Sequence, residues 1–181
     1  SLIEKIREIV KEIIKRSDDS VEEVKRRNEE SIRRSEESVK DNRRRIEDII
    51  RKLKRLKEEG RDRRDVEDLV RRIVEESKKT LRENEKLLED DRRINEKILE
   101  DNKRLLKKAR EDLKRVLEKT TDDDMLRKIE ALAREVTEVS KRALEEIRKL
   151  MEESTEVSKR ALERIEASVE EVRRVAEEVK R

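Results

Sequence analysis

The sequence predicts an all-α fold, an elongated up-down-up antiparallel bundle of three long, nearly straight helices. Three observations carry this reading. Charged residues make up 57% of the chain and apolar residues 31%, with no Phe, Trp or Tyr, yet the apolar residues recur at steps of three and four, the period of an amphipathic helix. The segment Thr137-Glu-Val-Ser-Lys-Arg-Ala-Leu-Glu-Glu-Ile147 returns as Thr155-Glu-Val-Ser-Lys-Arg-Ala-Leu-Glu-Arg-Ile165 with a single change. That offset of 18 residues is about five turns at about 3.6 residues each, and unlike a repeat of seven or eleven it imposes no supercoil. Finally, the only Gly and one Thr/Asp cluster divide the chain into three segments of nearly equal length.

The first helix runs from about residue 2 to about 59. Ile6, Val10, Ile13, Val24, Ile46, Ile49, Leu53 and Leu56 lie on one stripe, with Ser and Asn filling its middle. Ser17-Asp18-Asp19-Ser20 resembles a helix cap, but the apolar phase continues through it and so does the helix. Glu59-Gly60-Arg61-Asp62 is a stop, because Gly suits the left-handed position after a helix and Asp62 or Asp65 can cap the next one. The second helix, about 63–119, follows Val66, Leu69, Ile73, Leu87, Ile94, Ile98, Leu105, Leu113 and Val116. Thr120-Thr121-Asp122-Asp123-Asp124 then places acids where a helix dipole favours them, opening the third helix at about 122–180. Met125 and Met151 fill gaps in its core. Short loops between equal helices give a single three-helix bundle over 1–181.

Composition excludes several function classes. Without Cys there are no disulfides, thiol nucleophiles or zinc-thiolate sites, and without His the usual general base near neutral pH is missing. No apolar run exceeds Ala131-Leu132-Ala133, which is too short for a membrane span or a signal peptide. A soluble protein follows, cytoplasmic by default. Basic and acidic residues nearly balance at 53 and 50, and the short runs Arg43–Arg45 and Arg61–Arg64 form no sustained basic face for nucleic acid. Ser140-Lys141 and Ser158-Lys159 could suggest a Ser–Lys nucleophile, but adjacent helical residues point about 100° apart. Asp122–Asp124 lacks the ligand spacing of a calcium loop. No enzyme, cofactor or metal centre is expected.

The informative residues are polar ones inside the apolar stripes. Leaving such a group buried and unsatisfied costs about 1–3 kcal/mol, so a dozen of them must pair with one another if the bundle is to form. Folding the chain back about Gly60 and about Thr121 sets Ser20 against Asn102, and Asn102 against Ser140. The same operation sets Ser35 and Ser38 against Asn84, and Asn84 against Ser158. Asn28 falls near Asp91 and Asn95, and Asn42 near Ser77 and Thr80. These thirteen residues form the expected buried polar network. Asp91, the one acid among them, would accept hydrogen bonds from a polar or basic neighbour. The polar middle of the first helix, Asn28 to Asn42, is where local opening is expected.

Missing aromatics, His, Cys and Pro, Glu/Lys/Arg surfaces, a five-turn repeat and polar layers together resemble a de novo designed helical bundle with buried hydrogen-bond networks. The resemblance spans the whole chain and implies no natural substrate. It implies a structural scaffold whose helix pairing is specified by the polar layers. The alternative within that group is a protein-interaction component: a homo-oligomer subunit, a heterodimer half or a helix-accepting switch cage. A closed monomer would need no partner. An open one would take itself or a designed helix, and neither would take nucleic acid or a membrane.

Overall fold

In the computed structural model, which describes residues 1–60 and 62–181, three helices account for nearly all of the chain: α1 (Leu2–Glu58), α2 (Arg63–Lys119) and α3 (Asp123–Lys180). Arg61, part of the expected stop and of one short basic run, lies outside the described residues. α1 passes through Ser17-Asp18-Asp19-Ser20 without a break.

The ends follow local chemistry. The Ser1 hydroxyl accepts from the Glu4 amide at the start of α1, and Asp122 Oδ1 accepts from the Asp124 amide at the start of α3 at 3.0 Å. Both supply acceptors for amides that have no partner in the first helical turn. Past the end of α1, Gly60 takes a positive φ of 64° and its amide donates to the Lys57 carbonyl. A Cβ at Gly60 would meet nothing within 4 Å, so the only penalty for a side chain there is backbone strain. Gly60→Ala should therefore cost about 1–2 kcal/mol, read as a lower urea midpoint with an unchanged slope.

The buried positions show why a five-turn repeat suits these helices. On α1 all of them but Ser31 fall at Val10, Ser17, Val24, Asn28, Ser35, Asn42, Ile46 and Leu53, in steps of seven, seven and four. On α3 the same cycle runs through Ile129, Val136, Ser140, Ile147, Ser154, Ser158, Ile165, Val172 and Ala176. Each cycle totals 18 residues, so the buried stripe returns to the same side without winding around the helix.

The chain packs as two compact units, each taking part of all three helices. The first comprises 1–28 and 91–153, the second 29–90 and 154–181. In the first, Val10, Leu106, Ala109, Leu113, Ile129, Val136 and Val139 form one apolar cluster. Val24, Leu99, Ile147 and Leu150 form another, with Met151 packed beside it. In the second unit, Ile46, Leu53, Val66, Ile73, Val172 and Ala176 form the core. Descending α1 from Val24 to Val10 means ascending α2 from Leu99 to Leu113, which is antiparallel pairing. Each fully buried aliphatic side chain contributes about 1.5–3 kcal/mol, and Leu53, Leu106, Ile129 and Ile147 are all inaccessible.

Candidate functional site

Among the described residues, no group of three or more His, Cys, Asp or Glu could hold a metal ion, and no helix is long and apolar enough to cross a membrane. The distinctive chemistry lies in the buried polar side chains: Ser17, Asn28, Ser31, Ser35, Asn42, Ser77, Asn84, Asn95, Asn102, Ser140, Ser154 and Ser158 are all buried.

In the second unit several of these meet across helices. Asn42 Nδ2 donates to Ser77 Oγ at 3.0 Å, joining α1 to α2. Ser38 Oγ, half-buried, donates to Asn84 Oδ1 at 3.1 Å, also joining α1 to α2. Ser35 Oγ lies 3.4 Å from Ser158 Oγ, joining α1 to α3, with either hydroxyl able to donate. Asn84 Nδ2 is buried without a partner. Each step keeps its residue on the same helix face: four residues on α1, from Ser38 to Asn42, are close to one turn, and seven on α2, from Asn84 to Ser77, are close to two.

Thr80 does not join Asn42. Its hydroxyl donates to the Glu76 carbonyl on its own helix at 3.0 Å. Ser20 behaves alike, donating to the Arg16 carbonyl at 3.0 Å rather than reaching Asn102. A helical Ser or Thr near the surface can always bond the carbonyl one turn back, and that local acceptor wins over a more distant amide. Ser17, one step of three earlier, is the hydroxyl fully buried in this stretch, and its Oγ has no partner.

The first unit holds the other polar residues. Asn102 is buried with neither Oδ1 nor Nδ2 paired, and the Oδ1 atoms of Asn28 and Asn95 are unpaired too. Ser140 is buried on α3. Asp91 meets α1 through Arg27, whose Nη2 donates to its Oδ1 at 3.4 Å, both side chains being half-buried. Arg27 and Ser154 were not among the expected network residues, nor were Ser17 and Ser31, although both serines lie on the stripe expected for the first helix. The signal that finds the three serines is the seven-residue step: Ser17 and Ser31 stand seven either side of Val24, and Ser154 stands seven from Ile147 and Ala161.

The exposed charges pair mainly along each helix, at three or four residues, as in Arg33 with Glu30 and Glu37. The hydrogen bond from Arg33 holds the Glu30 carboxyl below the usual carboxylate range, opposed by desolvation and aided by the charge of Arg33 and by the hydrogen bond and charge of Arg34. The Lys52 ammonium does the same for Asp48. A carboxyl with a lowered folded-state pKa stabilises the fold above its unfolded pKa, and that stabilisation is lost as pH falls through the folded value. Both groups are exposed, so the effect on stability is small. Carboxyl titration by NMR should place the Glu30 midpoint below the usual carboxylate range, and Arg33→Gln should move it back up.

Comparison with known proteins places the fold. No family model matches the chain, and no curated protein matches it. Among solved structures, a computationally designed three-helix bundle superposes with a TM-score of 0.57 at 24% identity, over 98% of this chain and 83% of that one. The chain thus has the fold of a three-helix bundle.

Proposed function

We propose that this chain is a designed structural scaffold with no natural catalytic activity, in which buried Ser and Asn side chains specify how the helices pair. The observation that carries the reading is the set of cross-helix contacts Asn42–Ser77, Ser38–Asn84 and Ser35–Ser158 inside a core that could have been wholly aliphatic. Net stability gains nothing obvious from them, since a typical hydrogen bond contributes only about 0.5–1.5 kcal/mol after water is displaced. Their value lies in alternatives: a slipped or reversed helix leaves each amide facing aliphatic carbon, as a single buried Asn does in a coiled coil. Absent aromatics and a near-balanced Glu/Lys/Arg surface support the designed origin, as does the likeness in fold to a designed bundle.

The test uses the α1–α2 pair. Asn42→Ala alone strips Ser77 of its donor and should cost about 1–3 kcal/mol. Asn42→Leu combined with Ser77→Ala and with Ser38→Ala/Asn84→Leu removes both partners of each bond and should melt at or above the parent temperature. Spin labels on α1 and α2 should then report a broadened or second distance in this apolar variant. A distance distribution as narrow as the parent's would mean that the polar pairs do not set the register.

A further inference from the structure

A groove between α1 and α3 lies in each unit. In the first unit it has a volume of about 820 Å³ with a floor that includes Val21, Val139 and Ala143. In the second it has a volume of about 400 Å³ with a floor of Val39, Val157 and Ala161. These floors correspond residue by residue at the 18-residue offset: Val21 with Val39, Val139 with Val157, Ala143 with Ala161. The two grooves are the same apolar feature, present once per repeat.

Their rims differ in sign. The first groove is edged by exposed Asp18, Glu22, Glu135, Glu145 and Glu146 against only Arg142 and Lys149. The second is edged by exposed Lys40, Arg43, Arg160 and Arg164 against only Glu36. Two substitutions between repeat-equivalent positions do most of this. Glu22 corresponds to Lys40, and Glu146 corresponds to Arg164. The latter is the single change in the otherwise identical eleven-residue repeat. A charge reversal at the groove edge is thus the one place where that repeat departs from itself.

We infer that the basic α1–α3 groove of the second unit docks on the acidic α1–α3 groove of the first unit in a second copy of this chain. The two apolar floors carry rims of opposite sign, so each groove is electrostatically complementary to the other and not to itself. Two acidic rims or two basic rims would repel, so the charges select the acid-to-base pairing. The stems of Arg160, Arg164 and Lys40 can lie along an apolar floor while their cationic ends reach the carboxylates of the other copy. Guanidinium groups suit this role because they can meet a carboxylate through two parallel N–H bonds.

Rim-to-rim attraction is screened by salt, with a Debye length of about 10 Å at 0.1 M and about 3 Å at 1 M. The full chain is therefore measured by light scattering behind size exclusion, from micromolar to millimolar, in about 0.02 M and about 1 M salt. The mass should rise from 21.9 kDa towards twice that value in low salt and fall back in high salt. Lys40→Glu/Arg164→Glu gives two acidic rims, and Glu22→Lys/Glu146→Arg gives two basic ones. Each variant alone should stay monomeric, and an equimolar mixture should recover the doubled mass. Circular dichroism checks that both remain helical; since all four positions are exposed, loss of fold is not expected. A parent chain that stays monomeric at millimolar concentration in low salt overturns the inference. So does a dimer that both variants form unaided.

Discussion

Leu106→Ala is expected to lower the unfolding free energy by about 2–5 kcal/mol, the range for removing a buried leucine and leaving a cavity. Leu106 is fully inaccessible and belongs to the cluster with Val10, Val136 and Val139. All three helices contribute to that cluster, so relaxation of one helix cannot close the gap. Urea denaturation should show a lower midpoint with an unchanged slope. Hydrogen exchange should accelerate first in residues 91–153, which surround the deletion. A loss below about 1 kcal/mol would mean that the cluster collapses around the missing side chain.

One turn earlier on the same helix, Asn102→Leu is expected to act in the opposite direction, raising stability by about 1–3 kcal/mol. Asn102 is 2% exposed and both its amide atoms lack partners. Folding thus strips water from a carboxamide and returns no hydrogen bond, a cost that an aliphatic side chain does not incur. Leu branches at the same carbon as Asn, so the shape change is small. Two-state melts of the parent, Asn102→Leu and Asn102→Ala would decide the matter. If Asn102→Leu melts lower than the parent, the amide has a partner in solution, and the hydroxyls of Ser17 and Ser140 would be the groups to delete next.

The helices were legible because their signals are local. Gly60 takes the positive φ that a helix stop requires, Asp122 caps α3, and an 18-residue repeat tells where each buried face returns. Level was legible too: folding the chain back about Gly60 sets Asn42 beside Ser77 and Ser38 beside Asn84, where hydrogen bonds are found. What the pattern could not supply was competition between acceptors. Ser17 and Ser20 are the same residue type three positions apart, and both lie on steps allowed for a helix face. Only packing decides that Ser17 is enclosed while Ser20 bonds back to the Arg16 carbonyl. The amide orientations are equally invisible in sequence, because the side of Asn102 or Asn84 that finds a partner depends on the volumes around it. Arg27 was overlooked for a simpler reason. Its stem is long enough to reach Asp91 from outside the apolar stripe.

The seven-seven-four cycle has a consequence for the helices as objects that can slide. A helix moved along its axis by one full cycle, about 27 Å at 1.5 Å per residue, presents buried positions in the places they held before. Shape alone therefore cannot tell the two placements apart, and the backbone has a translational symmetry. The side chains break it unevenly. On α1 such a slide would bring Asn28 to the level of Val10 and Asn42 to the level of Val24, whereas Ser35 would merely replace Ser17. The amides act as index marks on a ruler whose divisions are otherwise nearly identical, and among the α1 serines only Ser31, brought to the level of Ile13, adds another.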